Sequence, residues 1–180
     1  QNVAIGPTSM SSNTTGWSNT ATGFRALKDN TQGSQNAAFG WQALYKNTTG
    51  YQNVAVGPNT LRDSTVGVQN TAVGMQALNA NNADGNTGIG AFALNNNTTG
   101  TGNTSIGIYS LALNSSGNYN TGVGVYALQT NTTGLNNTAV GHNADVSANN
   151  LTNATAIGAN AIVNASNKIR LGDTGVTVIE

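Results

Sequence analysis

Five residues, Asn70-Thr71-Ala72-Val73-Gly74, set the terms for the rest of the chain. Variants of this pentapeptide end at Gly6, Gly23, Gly40, Gly57, Gly90, Gly107, Gly124, Gly141 and Gly158, and the closing glycines lie 17 residues apart except for one step of 16 between Gly74 and Gly90. Self-similarity at a fixed short period marks a solenoid, in which each repeat forms one rung and neighbouring rungs complete its core. The spacing predicts an all-β solenoid of ten rungs, roughly 45–50 Å long at the ~4.8 Å separation of paired strands. Disorder competes as a reading of so repetitive a sequence. A disordered chain, however, has no reason to hold aliphatic residues in register across ten copies.

With the motif glycine as the origin of each rung, two apolar ladders emerge. The residue before the glycine is Ile5, Thr22, Phe39, Val56, Val73, Ile89, Ile106, Val123, Val140 or Ile157. Four residues after it stand Met10, Leu27, Leu44, Leu61, Leu78, Leu94, Leu111, Leu128 and Ile162, with Asp145 interrupting the series. Within the motif, the alternation of a small residue or Thr, a small residue and an aliphatic one has the period of two expected of a short strand. The middle residue is always Ala, Gly or Ser, so another backbone must approach it closely: either the far wall of a narrow coil or a neighbouring chain. Two apolar ladders per rung, rather than one, predict that one fills the coil and the other a seam between chains.

Turn chemistry accounts for most of the remaining positions. Asn opens the motif from Asn2 through Asn137, and a second series (Asn13, Asn30, Asn47, Asn81, Asn97, Asn114, Asn131) lies in an Asn-Thr-Thr-Gly-like loop. Asn tolerates the left-handed backbone region, and stacked Asn amides can also hydrogen-bond along a ladder. The loop glycines Gly16, Gly33, Gly50, Gly67, Gly100, Gly117 and Gly134 are expected to supply positive φ. Sequons such as Asn47-Thr48-Thr49 follow from this loop grammar and are not taken as glycosylation signals. The short rung is expected to lose its residue beside Gly85, in a loop that spares the apolar ladders.

The grammar changes near the end. Residues 1–166 form the repeat region, and residues 167–180 are expected to form a cap or junction: two alternating strands around Gly172-Asp173-Thr174-Gly175. A degenerate last rung is the alternative. The chain opens inside a motif, at Gln1-Asn2-Val3, which is expected of a piece excised from something longer.

Composition narrows the function. Only 7% of the residues are charged, the net charge is zero and there is no Cys. A surface hydrated through amides and hydroxyls offers no field for nucleic acid or an anionic membrane. No apolar run of about 18 residues is present to insert in a bilayer. Catalytic, metal and cofactor sites are not expected. His142 is the only histidine and has no catalytic partner in the repeat, and the acids Asp29, Asp63, Asp84, Asp145, Asp173 and Glu180 fall in different rungs or the cap.

The run of motifs, most clearly Asn153-Ala154-Thr155-Ala156-Ile157-Gly158-Ala159-Asn160-Ala161, resembles the head repeats of trimeric autotransporter adhesins of the YadA type. The longer form also resembles repeats of phage tail fibres and related bacterial fibre proteins. The segment from Asn167 to Glu180 is similar to segments that precede chaperone domains in such fibres. The resemblance implies a left-handed parallel β-roll, a homotrimer around one axis and a role in attachment outside a bacterium or phage particle, to a host-surface protein or glycan. The 17-residue period is longer than that of the usual adhesin head.

One asymmetry points to a recognition surface. Arg25, Lys28, Lys46 and Arg62 fall in the first third, and no further Lys or Arg occurs before Lys168. Both tryptophans lie there too. Trp, Tyr and Arg are the residues that anchor interfaces, so Trp17, Phe24, Arg25, Lys28, Trp41, Tyr45 and Tyr51 are the candidate surface, and the middle rungs a spacer. Irregular end rungs that cap the stack are the plainer alternative. A rival function, ice binding, is suggested by the ladder Thr71, Thr87, Thr104, Thr121, Thr138, Thr155.

Overall fold

The computed structural model describes residues 1–176 and is an all-β parallel solenoid, without helix in the described residues. Each motif supplies one three-residue strand: β1 (Val3–Ile5), β2 (Thr20–Thr22), β3 (Ala37–Phe39), β4 (Val54–Val56), β5 (Thr71–Val73), β6 (Thr87–Ile89), β7 (Thr104–Ile106), β8 (Thr121–Val123) and β9 (Thr138–Val140). They are followed by β10 (Asp145–Val146), β11 (Thr155–Ile157), β12 (Ile162–Val163) and β13 (Ile169–Leu171). Strands β1 to β9, then β11 and β13, make one 11-stranded parallel sheet, while β10 and β12 form a second sheet of two strands. Register follows the motif: Ala55 pairs with Ala72, and Thr104 with Thr121.

The two ladders part company. Leu27, Leu44, Leu61, Leu78, Leu94, Leu111 and Leu128 are fully buried and fill the coil. The aliphatic residues that end the strands point outward, with Phe39, Val56, Val73, Ile89, Ile106, Val140 and Ile157 all exposed. The small middle residue faces inward, and the backbone that crowds it is the far wall of the same coil. A Cβ added to Gly88 would meet the Ala93 carbonyl oxygen and Leu78 Cγ, each at 3.2 Å.

Backbone conformation departs from the sequence expectation at three kinds of position. The core leucines themselves take the left-handed region, with φ of 48–51° from Leu27 to Leu128. That conformation costs an L-residue about 1–3 kcal/mol and persists only where its surroundings over-determine it. Here burial of the side chain and ladder bonds such as Leu44 N–H to the Thr60 carbonyl (3.0 Å) hold it. The loop glycines Gly16, Gly33, Gly50, Gly67, Gly100, Gly117 and Gly134 do not have positive φ. They are glycine because there is no room. At Gly117 a Cβ would fall 2.4 Å from both the Gly134 carbonyl oxygen and Asn114 Oδ1. Nor do the motif asparagines turn the chain: the left-handed residue is the one before them, such as Gln35, Gln52 or Gln69.

Those asparagines are structural in another way. Asn103 is fully buried; its Oδ1 accepts from Asn120 N–H at 2.9 Å, and its Nδ2 donates to the Gly117 carbonyl at 2.8 Å. The bonds repeat from rung to rung and tie strand entry to the loop. The loop series forms a parallel column, in which Asn47 Nδ2 donates to Asn30 Oδ1 at 2.7 Å and Asn114 Nδ2 to Asn97 Oδ1 at 2.9 Å. Asn47 is fully buried, which closes its sequon to modification of the folded chain.

The short rung keeps its strand register, Thr71 opposite Thr87. The residue it lacks comes from ahead of Ala83, not from beside Gly85. Ala83 takes the place of the loop glycine, and its carbonyl accepts from Asn70 Nδ2 at 2.9 Å and Asn81 Nδ2 at 2.7 Å.

The last rungs change the inward residue. In the pair β10 and β12, Val146 and Val163 are buried, whereas Ile162, expected in the core ladder, is 50% exposed. Asp145 and Ile162 lack the left-handed φ of the leucines they replace, so the inward position moves on by one. From the expected junction, Ile169–Leu171 joins the main sheet parallel to β11. The second strand expected there runs from Val176 into residues 177–180, which lie outside the described residues. No helix among the described residues is long and apolar enough to cross a membrane.

Candidate recognition surface

Stacking at a fixed register turns each rung position into a column. The first residue after the motif glycine gives Phe24, Trp41, Pro58 and Met75, the second gives Arg25, Gln42, Asn59 and Gln76, and the fifth gives Lys28, Tyr45, Arg62 and Asn79. The structure sorts the seven candidates by these columns. Phe24 and Trp41 stand exposed on the corner where the chain leaves the sheet, and Arg25 lies over the Phe24 ring at 4.8 Å from its centroid. Tyr45 sits between two cations along its column, Lys28 Nζ at 5.3 Å and the Arg62 guanidinium at 5.8 Å. Trp17 and Tyr51 are also exposed, but they belong to the corner that leads into the sheet, ahead of β2 and β4. Five of the seven therefore share one side of the roll, and Trp17 and Tyr51 flank the strand from the other.

Apart from Arg25, the charge on this side is paired. Lys28 Nζ lies 2.8 Å from Asp29 Oδ1, Lys46 Nζ lies 2.8 Å from Asp63 Oδ1, and Arg62 Nη1 lies 3.2 Å from Asp63 Oδ2. The hydrogen bond to Asp29 holds the Lys28 ammonium above its ordinary value of 10.5. Such solvent-screened pairs add little to stability. Their effect is to fix side chains beside the rings.

Five residues absent from the sequence-based set complete this side: Gln42, Asn59, Arg62, Gln76 and Asn79 line a recess with Trp41. Three of them occupy one column and two another, so a tabulation by rung position would have found them, whereas a search for aromatic and cationic residues reaches Arg62 but passes over the four amides. Three aromatics of the middle rungs, two of them half-buried, form a further stack. Phe92, Tyr109 and Tyr126 stack in the second column, with ring centroids 4.8 and 5.6 Å apart. Among the described residues, no three His, Cys, Asp or Glu side chains are grouped to hold a metal ion.

What the fold and surface define is a parallel β-solenoid with one polar-aromatic side near its N-terminal end. No protein-family model matches the chain, and no curated protein or solved structure matches it either.

Proposed function

We propose that the chain is a non-catalytic segment of a trimeric extracellular fibre, a left-handed β-roll that mediates attachment to a surface from a bacterial cell or a phage particle. The observation that carries this reading is the outward aliphatic column. From Phe39 through Val56, Val73, Ile89 and Ile106, past the half-buried Val123, to Val140 and Ile157, side chains on one face of the sheet stand in an outward row along the roll. A continuous apolar stripe on a chain with 7% charged residues favours burial against another surface. Repetition at the same step in every chain lets identical copies cover one another around a common axis. The likeness of the motif to adhesin heads and tail-fibre repeats supports three copies.

Sedimentation equilibrium tests the assembly. The expected mass is three times the 18.2 kDa of one chain. Replacing Val73 and Ile106 by Asp should give a monomer that keeps its β-sheet spectrum; a wild-type monomer would remove the trimer.

Ice binding retains one supporting observation. Thr71, Thr87, Thr104, Thr121 and Thr138 are half-buried on the same outward face as the aliphatic column. Their neighbour on that face is Val or Ile, where a flat ice-binding face would use a second hydroxyl column. Thermal hysteresis at micromolar chain concentration would favour this rival; none is expected.

A further inference from the structure

Three consecutive rungs build a small recess beside the sheet face. Trp41, Gln42, Asn59, Arg62, Gln76 and Asn79 form its wall, and it holds about 250 Å³. That is smaller than the roughly 300–1,000 Å³ of sites that enclose drug-sized ligands. The recess suits one ring-sized group.

The wall is held in place by its own bonds. Asn79 Nδ2 donates to the Asn59 carbonyl at 3.0 Å, and Arg62 Nε donates to Gln42 Oε1 at 3.0 Å. Gln42 is only 7% exposed. One polar atom is left over: Asn59 Oδ1 is buried and accepts no hydrogen bond. Buried acceptors are nearly always satisfied, and the exceptions call for an explanation. With no surface open to solvent, this acceptor meets a ligand donor only when the half-buried Asn59 side chain turns into the recess.

Charge and shape then select the ligand. The only cation in the wall, Arg62, already holds Asp63, which also takes Lys46. A neutral group that both donates and accepts fits this wall better than an anion. At the rim Trp41 is 48% exposed and offers a flat apolar face. A pyranose has the matching pair of characters: a C–H face that packs on an indole, and a ring of hydroxyls that donate and accept.

We infer that the recess is a subsite for a neutral pyranose of a surface glycan. Trp41 is the stacking platform, the Asn59 amide turns into the recess to accept a sugar hydroxyl, and Gln76 and Arg62 supply the remaining hydrogen bonds. The inference rests on the reading of the chain as an attachment segment and narrows it to a ligand class and a place. It draws the site in from the broad N-terminal set to the rungs that carry Trp41 to Asn79.

The test uses the full chain with Trp17→Phe, which leaves Trp41 as its single tryptophan. Methyl glycosides of glucose, mannose, galactose and N-acetylglucosamine are titrated to ~100 mM, a range that captures weak millimolar binding, with N-acetylneuraminic acid in parallel. Fluorescence and saturation-transfer NMR are the readouts. A saturable response to at least one neutral glycoside is expected. It should weaken about tenfold or more in Asn59→Gly, which keeps the backbone conformation and deletes the acceptor, and in Trp41→Ala, read by NMR, with both variants melting as the parent does. Silence across the neutral panel, a response to the acidic sugar alone, or full binding in both variants overturns the inference. Protease-sensitive attachment to cells by a chain that ignores all these sugars would overturn the glycan subsite and leave the attachment reading standing. A chain that binds no sugar and attaches to no surface fails both.

Discussion

At the residue scale the chain is organised by asparagine. A buried Asn offers one acceptor and two donors, enough to bond the rung on one side and the loop across the coil. Neither Asp, which lacks the donor, nor Ser, which is too short, can do both. Within the loop column from Asn13 to Asn131, one rung breaks the rule. Ser64 stands where the loop column has Asn47 before it and Asn81 after it, and it leaves two buried atoms without partners, Asn47 Oδ1 and its own Oγ. Each buried unsatisfied group costs about 1–3 kcal/mol. Ser64→Asn restores the donor to Asn47 Oδ1 and is expected to raise the unfolding free energy by about 1–2 kcal/mol, read by guanidinium denaturation. A neutral or destabilising result would mean that the column is already satisfied in solution. The amide ladder was legible from the period alone, because stacked identical amides have one obvious way to bond. Its burial was less so: Asn is more often a surface turn residue, and only the narrowness of the coil turns these inward.

At the scale of the rung, the corners hold what sequence could not show. The apolar periods announced the strands and the leucine core, and the fixed register announced the parallel pairing. The left-handed leucines went unannounced, because Leu has no intrinsic preference for that region and the cause lies in the closure of the coil. The glycines misled for a related reason. Gly85 has φ of 67° with nothing within 4 Å of its missing Cβ, whereas Gly117 has ordinary φ and no space. Gly117→Ala should therefore cost several times more stability than Gly85→Asn, since Asn enters the left-handed region readily; equal costs in a pair of thermal melts would contradict the packing account. The end of the roll adds a titration. Asp145 replaces a core leucine, and burial pushes its carboxyl above its ordinary 3.8, against opposing hydrogen bonds from Thr130 and Val146. A raised carboxyl means that the folded state binds the proton more tightly than the unfolded state does. The group burdens stability least below pH 3.8, and the burden grows as pH rises through its folded value. Asp145→Asn is then expected to melt higher than wild type at neutral pH, with the gap closing on acidification; a gap that ignores pH would point to geometry instead.

At the scale of the molecule, the roll is a one-dimensional stack whose stability is close to a sum over rungs and their interfaces. That property separates the site from the spacer. Removing residues 108–124 joins Gly107 to Val125 and takes out one whole rung in register, so Leu94 stacks on Leu128 and β6 is followed by β7 and then β9. Removing residues 41–57 joins Gly40 to Pro58 in the same way, but takes Trp41, Gln42 and Tyr45 with it. Each deletion shortens the roll by ~4.8 Å and costs one rung of burial. Both chains should keep the β-sheet spectrum and lose similar amounts of unfolding free energy. Their binding should differ. The first chain is expected to attach to its target surface as wild type does, the second not at all. A control that removes residues 108–116 puts the leucine ladder out of phase and should not fold. If the two whole-rung deletions attach equally, the Trp41 side is a packing feature of the end rungs and the capping alternative holds. If the first loses attachment as well, recognition is spread along the Asn and Thr columns and works by avidity, with no single rung deciding it.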